Sequence, residues 1–144
     1  MAHILSNEAL IAAARAVLLP HTVPGYRPGG RGRHIAHVGS SLVSGSGTVF
    51  SGVSVDTGSG TGFCAEHAAI AAMVTAAEYR ILKVVAVYRA DTGELYVLPP
   101  CGRCREFMRQ VDSANLDAEV VLGLARSAPL RDLLPLHEWP EPLG

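Results

Sequence analysis

The sequence has almost no net charge and no long apolar run. Its 144 residues include 12 lysines and arginines and 13 aspartates and glutamates, for a formal net charge of -1 at pH 7. So small a charge gives no general attraction to the phosphates of a polynucleotide, and we predict no nucleic-acid partner. No stretch approaches the roughly 18 apolar residues that a membrane span requires, so we predict no membrane partner either.

Cysteine is scarce, and its number is odd. The three cysteines are Cys64, Cys101 and Cys104, a set that fits a disulfide framework badly and favours metal or thiol chemistry. The apolar N-terminal run is interrupted by Glu8 and Arg15, with no basic leader and no cleavage site. Together these features predict a cytoplasmic protein.

Helical and strand patterns alternate along a chain of a length that suits one domain, residues 1–144. The predicted helices run from Ser6 or Asn7 to about Leu19, from Cys64 to near Glu78, from near Cys101, and from Ser127 and Pro129 through Leu134. The predicted strands are a hairpin around the turn at 44–47 and segments 81–88, 94–98 and 119–124. This order predicts a layered α/β domain around a single sheet.

One loop carries the only basic cluster of the sequence. Residues 24–34 are rich in glycine and proline and include Arg27, Arg31 and Arg33. Two interpretations stay open, a solvated loop and a flap over a polar substrate. His34 and His37, at its end, are interpreted as half-exposed strand residues or as substrate contacts at the mouth of a pocket.

The cysteines and one glutamate form the pattern that carries chemistry. Cys101 and Cys104 lie one helical turn apart, and Cys64 opens another predicted helix, so three thiolates at helix N-termini can bind one zinc ion. Three protein ligands leave a fourth position for water, which is typical of a catalytic site. Glu66 is then the candidate catalytic base, and His67, Arg103 and Arg105 are candidates to offset the negative charge.

The motifs CAE at 64–66 and PCGRC at 100–104 resemble those of the cytidine deaminase superfamily. The resemblance is to its three-cysteine members, the small cytidine deaminases and blasticidin S deaminase. VGSSL at 38–42, SGVSVD at 51–56 and LRDLLP at 130–135 extend it along most of the chain. It implies a three-layer α/β/α sandwich with one mixed β-sheet, zinc bound by the three cysteines, Glu66 as proton shuttle, and a homotetramer with active sites near subunit interfaces.

The same resemblance implies a substrate and its contacts. Cytidine deaminases hold the ribose with an Asn-x-Glu pair that Ser54 and Asp56 match, and we expect these two residues and Ala65 to contact substrate. His67 stands where an arginine usually follows Cys-Ala-Glu. The implied activity is hydrolytic deamination, with release of ammonia, of a free cytosine-type nucleoside or a related amino-heterocycle.

Four alternatives remain from the sequence. The first is a blasticidin S deaminase-type resistance enzyme, and the second is a deaminase that edits nucleic acid, which the small net charge disfavours. The third is a non-enzymatic scaffold protein with structural zinc and His67 as fourth ligand, and the fourth is a redox Cys-x-x-Cys. A glutamate two residues after Cys64 favours catalysis, because neither a structural nor a redox site has a use for that acid.

Overall fold

The computed structural model describes residues 4–21 and 35–144. The helices are α1 (Asn7–Leu18), α2 (Ala65–Thr75), α3 (Gly102–Val111) and α4 (Leu130–Leu133). The strands are β1 (Val38–Ser44), β2 (Val49–Val53), β3 (Ile81–Arg89), β4 (Leu95–Leu98), β5 (Glu119–Gly123) and β6 (Arg126–Pro129). The predicted basic loop at 24–34 lies outside the described residues.

The six strands form one mixed sheet, in which five follow the order β2-β1-β3-β5-β6 and β4 pairs with β3 off that path. β4 and β5 share one edge of β3: β4 pairs antiparallel with its end, Ala86–Arg89, and β5 pairs parallel with Lys83 and Val84. β4 and β5 therefore meet β3 at successive points along that edge, and the chain between them carries Cys101 and Cys104.

Alternating strand residues supply two separate cores. Leu42, Val84 and Val120 face one cluster, which includes Ile70 and Met73 of α2, and Cys104 and Met108 of α3. Val43, Val85, Val87 and Val121 face the other, which includes Leu10 and Ala14 of α1. Since successive side chains of a strand point to opposite faces, α1 covers one face and α2 and α3 the other. The predicted three-layer α/β/α sandwich with one mixed sheet is confirmed.

Two glycines let the helices approach the sheet closely. A Cβ at Gly39 of β1 would lie 2.3 Å from the carbonyl oxygen of Ala14 in α1. A Cβ at Gly52 of β2 would lie 2.5 Å from the backbone nitrogen of Ala69 in α2. A side chain at either place would push a helix outward, and α2 carries the site.

Asn115 is a completely buried tie between α3 and β3. Its Nδ2 donates to the carbonyl oxygens of Tyr79 and Met108, each at 3.0 Å, and its Oδ1 accepts from the backbone N–H of Ile81 at 2.7 Å. These bonds fix the end of α3 relative to the start of the central strand.

Two predicted boundaries were wrong. α2 ends at Thr75 rather than near Glu78, because Ala77 adopts a φ of 59° and the N–H of Glu78 returns to the carbonyl of Met73. This is the Schellman ending, made here without the usual glycine. The segment 126–129, expected to open the last helix, forms β6 against β5, and α4 begins only at Leu130.

The first helix and the hairpin fit their predictions. Ser6 caps α1, with its Oγ accepting from the N–H of Ala9 at 3.1 Å. β1 and β2 flank the predicted turn at 44–47. Among the helices within residues 4–21 and 35–144, none is long and apolar enough to cross a membrane.

Candidate active site

Three sulfur atoms from two helix starts form a compact cluster. Cys64 is the N-cap of α2, Cys101 is the N-cap of α3, and Cys104 lies in the first turn of α3. The Sγ of Cys101 lies 3.6 Å from that of Cys64 and 3.5 Å from that of Cys104. Tetrahedral zinc with bonds of ~2.3 Å to sulfur places its sulfur ligands about 3.8 Å apart, so the donor set and its spacing fit zinc.

The sequence places these cysteines by ending β4 abruptly. Pro99 and Pro100 follow β4 and lack the N–H that a further ladder bond would need. Arg105 then secures the start of α3, since it donates to the carbonyl oxygens of Pro100 at 2.8 Å and Leu133 at 2.9 Å. Arg105, predicted as a candidate for charge balance, therefore supports the loop that carries the ligands.

The thiols differ in acidity. Burial raises the pKa of Cys64 and that of Cys104, where the carboxylate of Glu66 adds to the effect. Burial also acts to raise the pKa of Cys101, but hydrogen bonds from the backbone and thiol of Cys104 outweigh it, and that pKa lies below its usual value. The helix N-termini alone thus do not lower all three thiol pKa values, and a bound cation is the group that favours three thiolates.

Glu66 is a buried carboxyl group beside the sulfur cluster. It lies in the first turn of α2 and is 4% exposed. Burial raises the pKa of Glu66, against the opposing effect of hydrogen bonds from its own backbone and from Cys104. Desolvation of this kind brings a carboxyl group closer to the acidity at which it can both take up and release a proton.

His67 contacts the sulfur cluster through Cys104. Its Nδ1 lies 3.5 Å from the Sγ of Cys104, and its ring stacks on Phe107 with centroids 4.3 Å apart. Burial lowers the pKa of His67, and the charge of Arg103 lowers it further. In the parts of the chain that the structure describes, the cluster of three or more metal-ligand atoms consists of the three sulfurs and does not include His67.

A cavity of about 670 Å³ opens onto this group. Cys64 and Cys101 line it, while Cys104 is buried behind them. Its lining also includes the predicted catalytic residue Glu66, the predicted substrate contacts Ser54, Asp56 and Ala65, and the charge-balancing candidate Arg103, but neither His67 nor Arg105. Apolar walls come from Phe63, Leu98 and Pro99.

A loop with a narrow neck forms the rim of the cavity. Val55 and Phe63 pair across the neck through two backbone hydrogen bonds of 3.0 and 3.1 Å. Between them, residues 58–61 form a turn, and a Cβ at Gly58 would meet nothing within 4 Å. The rim is therefore anchored at its base and open toward solvent.

Sequence analysis missed the contact between His37 and Asp56. The Nδ1 of His37 lies 2.6 Å from the Oδ2 of Asp56, which also accepts from the Oγ of Ser54 at 3.2 Å. His37 precedes β1 instead of lying in a strand as predicted. The sequence feature that could have predicted this contact is the hairpin itself, because His37 precedes its first strand and Asp56 follows its second, which places the two residues opposite each other.

Comparisons with known proteins agree with this geometry. Residues 31–120 match the model of the cytidine and deoxycytidylate deaminase zinc-binding region. Cytidine deaminase from Mycobacterium leprae is 25% identical with a TM-score of 0.71, over 92% of this chain and 99% of that one. Cytidine deaminase from Burkholderia pseudomallei is 29% identical with a TM-score of 0.69, over 92% and 98%. No curated protein sequence matches the chain significantly.

The family model spans well over half of the sequence and contains all three cysteines and Glu66. The cofactor is zinc, as the matched region and the donor set both indicate. The chain belongs to the cytidine and deoxycytidylate deaminase family and is a zinc-dependent deaminase.

Proposed function

We propose that this deaminase hydrolyses the exocyclic amine of a free cytosine-type nucleoside or a related amino-heterocycle. The observation that carries the proposal is the buried carboxyl group of Glu66 beside three clustered thiols, at the wall of a cavity of about 670 Å³. That volume lies within the ~300–1,000 Å³ common for small-molecule sites.

Cys64, Cys101 and Cys104 would hold zinc, which when bound supplies the activation of a water molecule for attack. Glu66 would take one proton from that water and pass it to the ring nitrogen, and would then take the second proton from the same oxygen and pass it to the departing amine. The water oxygen forms the new bond to the ring carbon, the carbon–nitrogen bond breaks, and ammonia leaves. Glu66 ends in its starting protonation state.

The cavity offers separate surfaces for the ring and its substituent. Phe63 and Leu98 provide apolar contact for a flat ring. The side chain of Ala65 is a buried methyl group, so the polar group it can offer is its backbone N–H at the start of α2, which has no acceptor within the helix. Asp56 would contact the substituent directly. Ser54 would act on it only through its hydrogen bond to Asp56.

A free small molecule is a better substrate than a polynucleotide. The formal net charge is -1, and the charged side chains that line the cavity among the described residues are Asp56, Glu66 and Arg103. A nucleic-acid substrate would call for a broad basic surface to neutralise phosphates. The second candidate is a nucleoside-like antibiotic such as blasticidin S, which the short Asp56 side chain, in place of the family's Glu, leaves open.

We also propose a homotetramer in the cytoplasm. Leu136, Trp139 and Leu143 near the C-terminus are 99%, 92% and 101% exposed in the single chain. A second copy of the chain would remove such apolar side chains from water. The free thiols suit a reducing compartment. Light scattering coupled to size-exclusion chromatography tests the assembly, and the mass of one or two chains at micromolar concentration would contradict it.

The deciding experiment is ammonia release from cytidine by the zinc-loaded protein. We expect release by the wild type and none above background by Glu66→Ala or the isosteric Glu66→Gln, with zinc content and thermal midpoint retained. Should the wild type be silent, deoxycytidine and blasticidin S are the next substrates. A zinc-loaded wild type inactive on all three, or a Glu66→Gln variant with normal turnover, would overturn the proposal.

A further inference from the structure

The carboxylate of Asp56 is held from two directions at the mouth of the cavity. Both His37 Nδ1, at 2.6 Å, and Ser54 Oγ, at 3.2 Å, contact its Oδ2. Within the described residues, Oδ1 of Asp56 takes part in no hydrogen bond. Asp56 lines the cavity and its side chain is 36% exposed. Oδ2 thus anchors the carboxylate, and Oδ1 keeps its full capacity to accept hydrogen bonds from a ligand.

Ser54 has no such capacity left. Its Oγ accepts from the backbone N–H groups of His37 and Val38, each at 3.1 Å, and donates its only proton to Asp56. A hydroxyl group has one proton and two lone pairs, and all three are used. Ser54 is also 3% exposed. It can therefore influence a ligand only through Asp56.

Backbone hydrogen bonds make this arrangement rigid. The N–H of Ser54 donates to the carbonyl of Val38 at 2.9 Å, and the N–H of Asp56 donates to the carbonyl of Ile35 at 2.8 Å. The pairing between the segments of β1 and β2 thus continues beyond both strands to the residues that hold the carboxylate. A group fixed in this way loses little conformational freedom when a ligand binds it.

We propose that His37 is a positioning residue that holds Asp56 ready to accept a hydrogen bond from a hydroxyl group on the substituent of the substrate. The contact between Asp56 and a hydroxylated substituent belongs to the proposed function, and the role of His37 is what this inference adds. The inference rests on the proposed function, and it concerns binding, since neither His37 nor Asp56 is in the sulfur cluster. His37 acts on affinity and leaves the proton transfers of Glu66 unaffected.

His37→Asn and His37→Ala distinguish positioning from general support. An asparagine amide can occupy a place close to that of Nδ1 and donate to Asp56, whereas alanine cannot. With cytidine, we expect His37→Ala to raise KM about tenfold with kcat within about twofold of the wild type, because a hydrogen bond to a charged group is of that strength. His37→Asn should restore KM to within about threefold.

Binding measurements separate the substituent from the ring and do not depend on turnover. We expect His37→Ala to weaken the binding of uridine about tenfold and to leave unchanged the binding of uracil, which lacks the sugar and its hydroxyl groups. Asp56→Asn should weaken the binding of uridine at least as much. Adding His37→Ala to Asp56→Asn should cause no further loss of affinity, because His37 acts on the ligand only through Asp56. His21→Ala serves as the matched control, since His21 follows α1, is exposed and does not line the cavity.

The outcomes distinguish this inference from the proposed function. If the zinc-loaded wild type is inactive on cytidine, deoxycytidine and blasticidin S, the proposed function fails and the inference fails with it. If it releases ammonia from blasticidin S alone and does not bind uridine, the proposed function stands and the inference fails. If it releases ammonia from cytidine and binds uridine, the inference alone is overturned by any one of three results. These are wild-type KM in His37→Ala, equal losses for uridine and uracil, and a His37→Asn variant no better than His37→Ala.

Discussion

His67 lies between the metal cluster and the body of α3. Its Nδ1 is 3.5 Å from Cys104 Sγ, and its ring is stacked flat on Phe107, with an interplanar angle of 2°. Stacking on Phe107 fixes the orientation of the imidazole, and the imidazole in turn contacts the sulfur of Cys104. Groups that orient a metal ligand in this way contribute to metal affinity without touching the ion.

His67→Ala should therefore weaken zinc binding about tenfold, the lower end of the usual effect of losing such a partner. Competition with a chromophoric chelator measures the dissociation constant directly. Phe107→Leu keeps the imidazole but removes its stacking partner, so we expect a smaller loss in the same direction. An unchanged constant for His67→Ala would show that the 3.5 Å contact has no energetic role.

Zinc removal should destabilise the fold because the sulfur cluster joins α2 to α3. At a free zinc concentration about 1,000 times the dissociation constant, binding adds about 4 kcal/mol. For a domain of this size that corresponds to a fall of about 10 °C in thermal midpoint when a chelator removes the ion. Cys101→Ala should melt at the lower temperature with or without chelator. A chelator effect of equal size on that variant would contradict the assignment.

Asn115→Ala should cost about 2–4 kcal/mol of unfolding free energy, since it leaves the buried N–H of Ile81 without its partner and removes the bonds to the carbonyls of Met108 and Tyr79. Asn7→Ala is the matched control, because Asn7 bonds carbonyls of Gly123 and Leu124 at an exposed end of the molecule. We expect the control to lose less than about 1 kcal/mol in urea denaturation. Equal losses would contradict the role of Asn115 as a buried tie.

Gly39→Ala and Gly52→Ala should each lower stability by about 1–3 kcal/mol, the range for overpacking. In both cases the added methyl group meets helix backbone within 2.5 Å, which cannot move aside as a flexible side chain can. Gly58→Ala, which meets nothing within 4 Å, should be near neutral. Gly52→Ala should also reduce zinc affinity, because it displaces the helix that begins after Cys64. Retention of wild-type stability by both core variants would show that the helices can shift without cost.

The clustering of the three cysteines beside Glu66 could be predicted because zinc binding and proton transfer demand particular residue types at short spacings, and the roles of these residues stay predictions. Cys101 and Cys104 lie one turn apart, and Glu66 follows Cys64 by two residues. The layered α/β fold was predictable for a similar reason, since helical and strand periodicities are local.

The features that were missed depend on contacts between distant segments. β6 has no strand pattern of its own, and Arg126–Pro129 is extended because β5 offers it a partner. α2 ends early although Ala77 is an ordinary helix former, because the N–H of Glu78 finds the carbonyl of Met73. The contact of His37 with Asp56 depends on the register of the hairpin to the residue.

The rim loop at 56–62 can change in sequence or length without altering the helices that carry the thiols and Glu66. The Val55–Phe63 pair closes its neck, so insertions or substitutions within it need not reach the start of α2. The thiols and Glu66 stand on helices that the core holds in place. Natural variation could therefore alter which molecule enters the cavity while the bond-breaking machinery stays the same, and a library restricted to this loop would be a natural starting point for directed evolution of new substrates.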